Sequence, residues 1–528
     1  MAADVEPIIL TFSGGVNSRR RVLDVNPAEC AAGDNFSLDH QVASLQKRAA
    51  FDLAATAPNS GSINGYAQLV KRDGSVTTLI QAGGNVYTWD HVSAFTLVGT
   101  VASTSRLRGP REHNFTLDEY VIITDLEKAD IVKQWDGTTF GDYTHNLAGT
   151  FYAKYCRVHQ ERAIFANVKN SSTDLPHLMV GSKRGDAHTL TVTDRPAGTL
   201  ALDDPFFLIA PDLKAINGLE DAFGAFIFST RRGQLYQLAG SNAFDYDIKD
   251  FYAGSAVNGD EAMVQIGNDM ALGLPARIES LSGTINYGDV EADDLTLPIS
   301  DLVDKVTSWT LAYDRKMRRL YCFPDNQTTI YVLFKPILDE GKLSPWARWT
   351  TGHQINFTPT AVMPMIHPTT KEDLIYFGDS VGNIFQFEGN GARDGGTTSI
   401  ALTRTSGLIR GLPDGNVMDI EGWITYSKQF AATVTLTFQF AGEGLFDKSL
   451  TINLPAGVDI PVYSAAEAVD SAYYNGDFYY GKSFADRLNR QKFGPPGFDS
   501  WFQVKIDVES EGVIEIHELG FKFRTAKA

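Results

Sequence analysis

The sequence predicts an all-β chain, an irregular β-propeller followed by a C-terminal β-sandwich. Three observations carry that expectation. A short pattern recurs: a small turn residue, an alternating apolar strand that ends in a large side chain, then a polar turn. It appears at residues 84–90 (GNVYTWD), 129–137 (ADIVKQWDG), 232–240 (RGQLYQLAG) and 381–389 (VGNIFQFEG). A hairpin that cannot bury its own face must stack on neighbours, which is the signature of a repeat array. Glycine-rich turns alternate with aromatic and β-branched runs throughout, and the longest helix candidate, residues 465–474, is short. Beyond residues 389–398 (GNGARDGGTT) the strands become long and strictly alternating, as in a sandwich.

Taken in order, residues 1–61 form an extended segment that packs on the propeller. Residues 8–12 read as a strand and are one option for closing the propeller ring. Gly14 and Gly15 break that strand. Arg19, Arg20 and Arg21 form a basic cluster, either a solvated turn or a contact to an acidic partner or to phosphate. Residues 62–390 carry six or seven blades. Residues 65–71 and 76–81 flank the Arg72-Asp73-Gly74 turn, a strong hairpin signal. Strands follow at 85–89 and 94–101, and 120–124 pairs with 131–135. Trp89 and Trp135 lie 46 positions apart, and Trp135 and Met179 lie 44 apart, within the roughly 40–50 residues of a four-stranded blade. Further strands are expected at 162–167, 178–181, 189–193, 225–230, 234–238, within 269–281, and at 319–323, 329–334, 344–349, 374–378 and 383–387. Residues 391–528 form the sandwich, with strands at 418–427, 433–440, 449–454, 501–509 and 513–523. A Tyr-rich insertion at 470–500 either serves as an interface or covers the sandwich end.

The chemistry is sparse. Lys plus Arg number 46 against 64 Asp plus Glu, a net charge of −18, which argues against wrapping nucleic acid with the whole surface. An acidic wall around a channel would keep DNA from sticking. Cys30, Cys156 and Cys322 are too few and too far apart for a disulfide framework or a zinc site, and read as buried thiols. No basic segment precedes residues 8–12, so no secretory signal is expected, and no apolar run reaches the roughly 20 residues of a membrane helix. No nucleophile elbow, zinc-protease helix, phosphate loop, dinucleotide fingerprint or calcium loop is present. Asp203-Asp204 and Asp293-Asp294 could bind a cation but read as solvated turns. His113, His145, His159 and His177 show no ligand spacing. We therefore assign no catalytic, cofactor-binding or metal-ligating residue, and expect no enzyme and no cofactor.

The order of segments resembles the tail hub, or nozzle, proteins of short-tailed bacteriophages, including packaged-DNA stabilisation proteins. Four stretches carry the resemblance: FSGGVNSRRRVLDVNPAEC followed by SLQKRAAF; residues 217–240; SPWARWTTG; and residues 500–524, which end in IEIHELGFKFR. The Tyr-rich insertion before Trp501 departs from the family pattern. The resemblance implies a structural virion protein that forms a homo-oligomeric ring, expected as a hexamer, at the distal end of a short tail. It would be assembled in the host cytoplasm and would contact the adaptor and portal complex and tail fibres, spikes or a needle. Its lumen would pass genomic DNA without sequence-specific binding and help retain it, with no membrane insertion. The alternative is a carbohydrate- or receptor-binding propeller, suggested by Trp89, Trp135, Trp346 and Trp349, or less so a propeller glycosidase, which would need paired carboxylates or a tyrosine nucleophile beside an acid.

Overall fold

The structure, a computed structural model, describes residues 8–525 apart from 22–23, 40–43, 110–118, 193–200, 223–224, 255, 283–290, 326, 341–342, 351–358, 390–392, 396–397, 411–416, 429–431, 441–447, 455–488, 494–500 and 511–513. The described residues are almost entirely strands, and they form a β-propeller of seven four-stranded blades. Blade 1 is Ile63–Val70, Val76–Ala82, Asn85–Trp89 and Phe95–Thr100. Blade 2 is Leu107–Arg108, Val121–Asp125, Lys133–Trp135 and Phe140–Asp142. Blade 3 is Phe151–His159, Arg162–Asn170, Thr173–Gly181 and Phe206–Ile209, and blade 4 is Ile216–Ala222, Ala225–Thr230, Gln234–Ala239 and Asp247–Ala253. Blade 5 is Met263–Ile266, Asp269–Leu274, Arg277–Ser282 and Glu291–Asp294, and blade 6 is Trp309–Asp314, Arg319–Pro324, Thr329–Phe334 and Trp346–Thr350. Blade 7 takes three strands from Ala361–Ile366, Asp373–Gly378 and Asn383–Gln386, and its outermost strand from far upstream, Asp52–Thr56.

The recurring pattern marks one structural position. Trp89, Trp135, Met179 and Leu238 all lie on the third strand of their blades, and Phe387 follows the third strand of blade 7. All five side chains are buried between blades. The Arg72-Asp73-Gly74 turn forms as expected, with Gly74 at φ +82, a left-handed conformation that a β-branched residue would resist. Residues 189–192, expected as a strand, are irregular. The loop there is held by Asn146, whose side-chain oxygen accepts from the Leu190 and Thr191 amides at 2.7 and 2.9 Å, and blade 3 takes its fourth strand from Phe206–Ile209 instead.

The expected closing strand is a correction. Ile8–Leu10 does not close the propeller; it pairs with Ile514–Thr525 in a six-stranded C-terminal sheet. Closure falls to Asp52–Thr56, whose Ala55 pairs with Ile384 and Leu53 with Phe385. A ring closed this way ties an early strand to a late one and leaves no open blade. Segment 1–61 therefore does more than pack on the propeller. Its Cys30–Asp34 strand joins a second six-stranded sheet through Leu402–Ser406, and its Phe36–Asp39/Ser44–Lys47 hairpin joins the first through Leu45 and Ile516.

The two six-stranded sheets contain all five strands expected in the C-terminal region, at Val417–Lys428, Ala432–Phe440, Lys448–Leu454, Trp501–Ser510 and Ile514–Thr525. They touch through Phe521 on one sheet and Phe438 and Phe502 on the other, with ring centroids 6.1 and 5.3 Å apart. Most of the Tyr-rich insertion, the 465–474 helix candidate and His113 lie outside the described residues.

Segment 1–61 also runs along blade 6. The amides of Gly15 and Val16 donate to the carbonyls of Ser344 and Trp346 at 2.8 and 2.7 Å, and the Trp349 indole donates to the Phe36 carbonyl at 2.8 Å. A Cβ on Gly15 would sit 1.9 Å from the Trp346 oxygen, so the backbones can approach this closely only at glycine. One continuous apolar core results. It contains Phe12 and Phe36 of the segment, Trp346 and Trp349 of blade 6, Phe377 of blade 7, and Phe438, Phe502 and Phe521 of the two sheets.

At the seam sits Arg48, with its side chain fully buried, against Asp394, also fully buried. The guanidinium meets both carboxylate oxygens at 2.9 and 2.5 Å, the Thr350 carbonyl at 3.0 Å, the Ala49 carbonyl at 2.9 Å and Asn35 Oδ1 at 2.9 Å. All five N–H donors are thereby used. The Gly-rich boundary is thus pinned at Asp394.

Two expected outcomes follow from these contacts. Arg48→Ala or Asp394→Asn leaves the partner buried and uncompensated, so each lowers unfolding free energy by about 3–5 kcal/mol in denaturant titration. His91, buried between blades 1 and 7, meets Thr78 Oγ1 at 2.7 Å and the Tyr376 hydroxyl at 3.3 Å and stacks on Trp89 at 4.3 Å. Burial, with His367 adding to it, pushes its pKa down from 6.5 to about 3. The unfolded chain binds this proton below pH 6.5 and the folded chain only near pH 3, so stability is lost as pH falls between those values. His91→Gln narrows its stability gap to the parent as pH drops from 6.5 towards 4, measured by denaturation at each pH.

Candidate functional site: the propeller axis

First strands of all seven blades converge on one cavity of about 470 Å³, lined by Tyr66, Arg108, Tyr155, Glu220, Gln265, Tyr313 and Pro364 among others. The cavity is therefore the axial channel. Its size suits a small ligand, not a polymer duplex threaded along the axis.

A network of ion pairs spans the channel from blade 2 to the segment that enters blade 5, two blades that are not neighbours. Arg108 meets Glu261 in a two-pronged pair, Nε to Oε1 at 2.7 Å and Nη2 to Oε2 at 2.9 Å, while its remaining Nη1 protons reach the Asn64 and Leu107 carbonyls, both at 2.8 Å. Arg106 donates to Asp260 at 3.2 Å and to Glu127 at 3.3 Å. Lys154 of blade 3 sits 2.7 Å from Asp260, and the Tyr155 hydroxyl donates to the same carboxylate at 3.2 Å. Deeper along blades 3 and 4, Arg157 faces Glu220 at 3.7 Å and His159 faces Asp221 at 2.9 Å. Burial pulls the Arg108 pKa down, but Glu261 more than restores it, and the net shift is upward. The lining thus carries most of its charge in matched pairs rather than as one sign; Arg315, also in the lining, is exposed.

Tyr155 beside Asp260 is the pairing a glycosidase with a tyrosine nucleophile would need, and no spacing in the sequence places the two together. Burial first and the Asp260 charge second push the Tyr155 hydroxyl well above its ordinary value. It is held as a proton donor, the opposite of an activated nucleophile. Asp260 is meanwhile shared between Lys154 and Arg106.

The remaining expectations can be located. Arg19, Arg20 and Arg21 are exposed on the surface. Asp204 is buried in a turn in which its carboxylate accepts from the Ala201 amide at 2.5 Å, and the carbonyls of Asp203 and Asp204 bind Arg162 at 3.1 and 2.8 Å. Asp293 and Asp294 lie on the outer strand of blade 5, where Asp294 accepts from the Thr296 amide and hydroxyl at 2.9 and 2.7 Å. Asp203 is exposed in a turn, as expected, while Asp204 beside it is buried; Asp293 and Asp294 are exposed on a strand rather than in a turn. Among the described residues no three His, Cys, Asp or Glu side chains gather as a metal site, and Cys30, Cys156 and Cys322 are free and buried. His145 and His177 are half-buried and remain apart from the axial pairs. Trp89, Trp135, Trp346 and Trp349 are all buried core, which removes the feature that suggested a carbohydrate platform. No helix among the described residues is long and apolar enough to cross a membrane.

No known family's sequence profile matches the chain, and no curated protein does. Solved propeller-like structures are similar in fold alone. The extracellular domain of a one component system, BT4673 of B. thetaiotaomicron, is 11% identical over 64% of this chain, with a TM-score of 0.41; the match spans 39% of that structure's length. A catalytically inactive virginiamycin B lyase from Staphylococcus aureus with quinupristin is 10% identical, covering 64% of this chain and 98% of its own, with a TM-score of 0.40. YCF48 bound to D1 peptide is 10% identical, covering 63% and 93%, also with a TM-score of 0.40.

The cross-channel pair gives a double-substitution test. Arg108→Met or Glu261→Leu alone strands a partly buried charge and costs roughly 2–3 kcal/mol, below the fully buried case because Glu261 stays partly exposed. The combined variant recovers most of that loss in the same denaturation assay.

Proposed function

We propose that this chain is a structural subunit of a ring at the distal end of a short phage tail, a hub or nozzle, with no catalytic role. The observation that carries the reading is the continuous core that joins segment 1–61, blades 4 to 7 and both C-terminal sheets. A wall that holds back packaged DNA needs domains that do not hinge apart, and segment 1–61 stitches them together at three sheets. The segment order of tail hub proteins and the −18 charge support the same reading.

The closed axis bears on where DNA would run. With the channel bridged by Arg108–Glu261 and Lys154–Asp260, the lumen is the space enclosed by several subunits, not the propeller's own channel. That lumen is neutral to acidic, so DNA slides without sticking. Hexameric stoichiometry, the adaptor and portal above, and fibres, spikes or a needle at the rim belong to the reading through the resemblance. The virion tail is its location.

The test is localisation. Antibody-gold labelling and a low-resolution map of phage particles purified from cells that produce this chain place it in several copies around the tail axis. Its absence from particles, or a single copy away from the axis, rules the reading out.

A further inference from the structure

The outer strands of a propeller are edges, and an edge with unpaired backbone groups invites another strand unless it is charged or covered. Among the described residues, five of the seven outer strands carry a charge or are covered. The outer strands of blades 2, 4, 5 and 7 carry Asp142, then Asp247, Lys249 and Asp250, then Glu291, Asp293 and Asp294, then Asp52, although Leu53 next to Asp52 is itself 47% exposed. The outer strand of blade 6 is covered by segment 1–61.

The outer strands of blades 1 and 3 are different. Phe95–Thr100 reads FTLVGT and Phe206–Ile209 reads FFLI, with no charge in either. Each is bonded on one side only, Gly99 opposite Val86 and Phe207 opposite Val180, and neither has a second strand partner among the described residues. Large apolar side chains stand exposed on both: Leu97 at 55%, with Val92 at 65% in the turn before the strand, and Phe207 at 47% with Ile209 at 53%. Leu202 and Phe244, 60% and 59% exposed, extend the blade 3 patch; the Ala243 amide donates to the Leu202 carbonyl at 3.0 Å, so the two loops adjoin.

We propose that these two edges are the two halves of one contact between neighbouring copies of this chain, blade 1 of one against blade 3 of the next. The inference rests on the ring reading above and names the surface that builds it. The occupant is a second copy for two reasons. Each copy carries −18, so copies repel except where the meeting strands are uncharged, and these two outer strands satisfy that condition together. They also sit on different blades, so the contact is head-to-tail. One blade lies between them, an offset of two positions out of seven, so successive copies turn about an axis rather than run in a straight line, the geometry that closes a ring.

Mass photometry and sedimentation velocity of the full chain test this, with thermal unfolding as the folding control. A lysine on either edge, Leu97→Lys or Ile209→Lys, raises the apparent dissociation constant at least about tenfold, because the charge is buried in the contact. Thr96→Lys and Phe207→Lys serve if either of those variants fails to fold. An equimolar mixture of one blade 1 variant and one blade 3 variant forms dimers and nothing larger, since each partner keeps one good edge. Parent-like assembly of both variants, a mixture that stays monomeric, or a parent chain that is monomeric at every concentration overturns the proposal. Assembly unaffected by the lysines, with the chain still found around the tail axis, leaves the ring reading standing and the contact wrong. Dimers in the mixture with no chain in the tail leave the contact standing and the ring reading wrong.

Discussion

A single guanidinium holds the seam on which the rest of the molecule depends. Arg48 spends its five donors on four separate stretches of chain: Asn35, Ala49 beside it, Thr350 at the end of blade 6, and Asp394 beyond blade 7. Asp394 returns the favour by accepting from the Phe51 amide at 2.9 Å, and Asn35 Oδ1 accepts from the Thr350 amide at 2.8 Å. The ring of Phe51 lies 4.2 Å from the guanidinium carbon and that of Trp349 5.8 Å, so the charge is roofed by aromatic faces. A buried charge is tolerable only when fully paired. The arrangement therefore fixes where segment 1–61 leaves the two sheets and where Asp52–Thr56 enters blade 7. Crowding has a cost next door: burial first, and the neighbouring Arg48 charge second, push Lys47 down to about 8.

The same logic of pairing shapes the propeller axis. Most charges that would make an open channel attractive to an anion or a cation are spent on one another across blades 2, 3 and 5. Such a channel behaves as an internal brace. At about 470 Å³ the axis itself is too small for a duplex to thread it.

Legibility in the sequence followed the distance between partners. Hairpins closed by local turns were readable, as at Gly74 and at residues 231–233, and the Trp89–Trp135–Met179 spacing located equivalent third strands. The long alternating strands after residue 400 were readable for the same reason. Closure was not. Ile8–Leu10 is more apolar than Asp52–Thr56 (DLAAT), yet the weaker-looking strand closes the ring, because its position is set by Arg48 and by register with Asn383–Gln386 some 330 residues away rather than by its own propensity. The Arg48–Asp394 pair and the Tyr155–Asp260 contact were invisible for the same reason, being separated by 346 and 105 residues. The RAAF of SLQKRAAF, part of the stretch that carried the family resemblance, turns out to contain both Arg48 and Phe51.

Native-state hydrogen exchange tests the central claim, that segment 1–61 fuses the propeller and the two sheets into one cooperative body, most directly. The account predicts that amides in Ser44–Lys47, Asp52–Thr56, Trp346–Thr350 and Ile514–Thr525 open with one common free energy, equal to that of global unfolding. Exchange of the C-terminal strands through a separate, lower-energy opening, with blade 7 still protected, would contradict it.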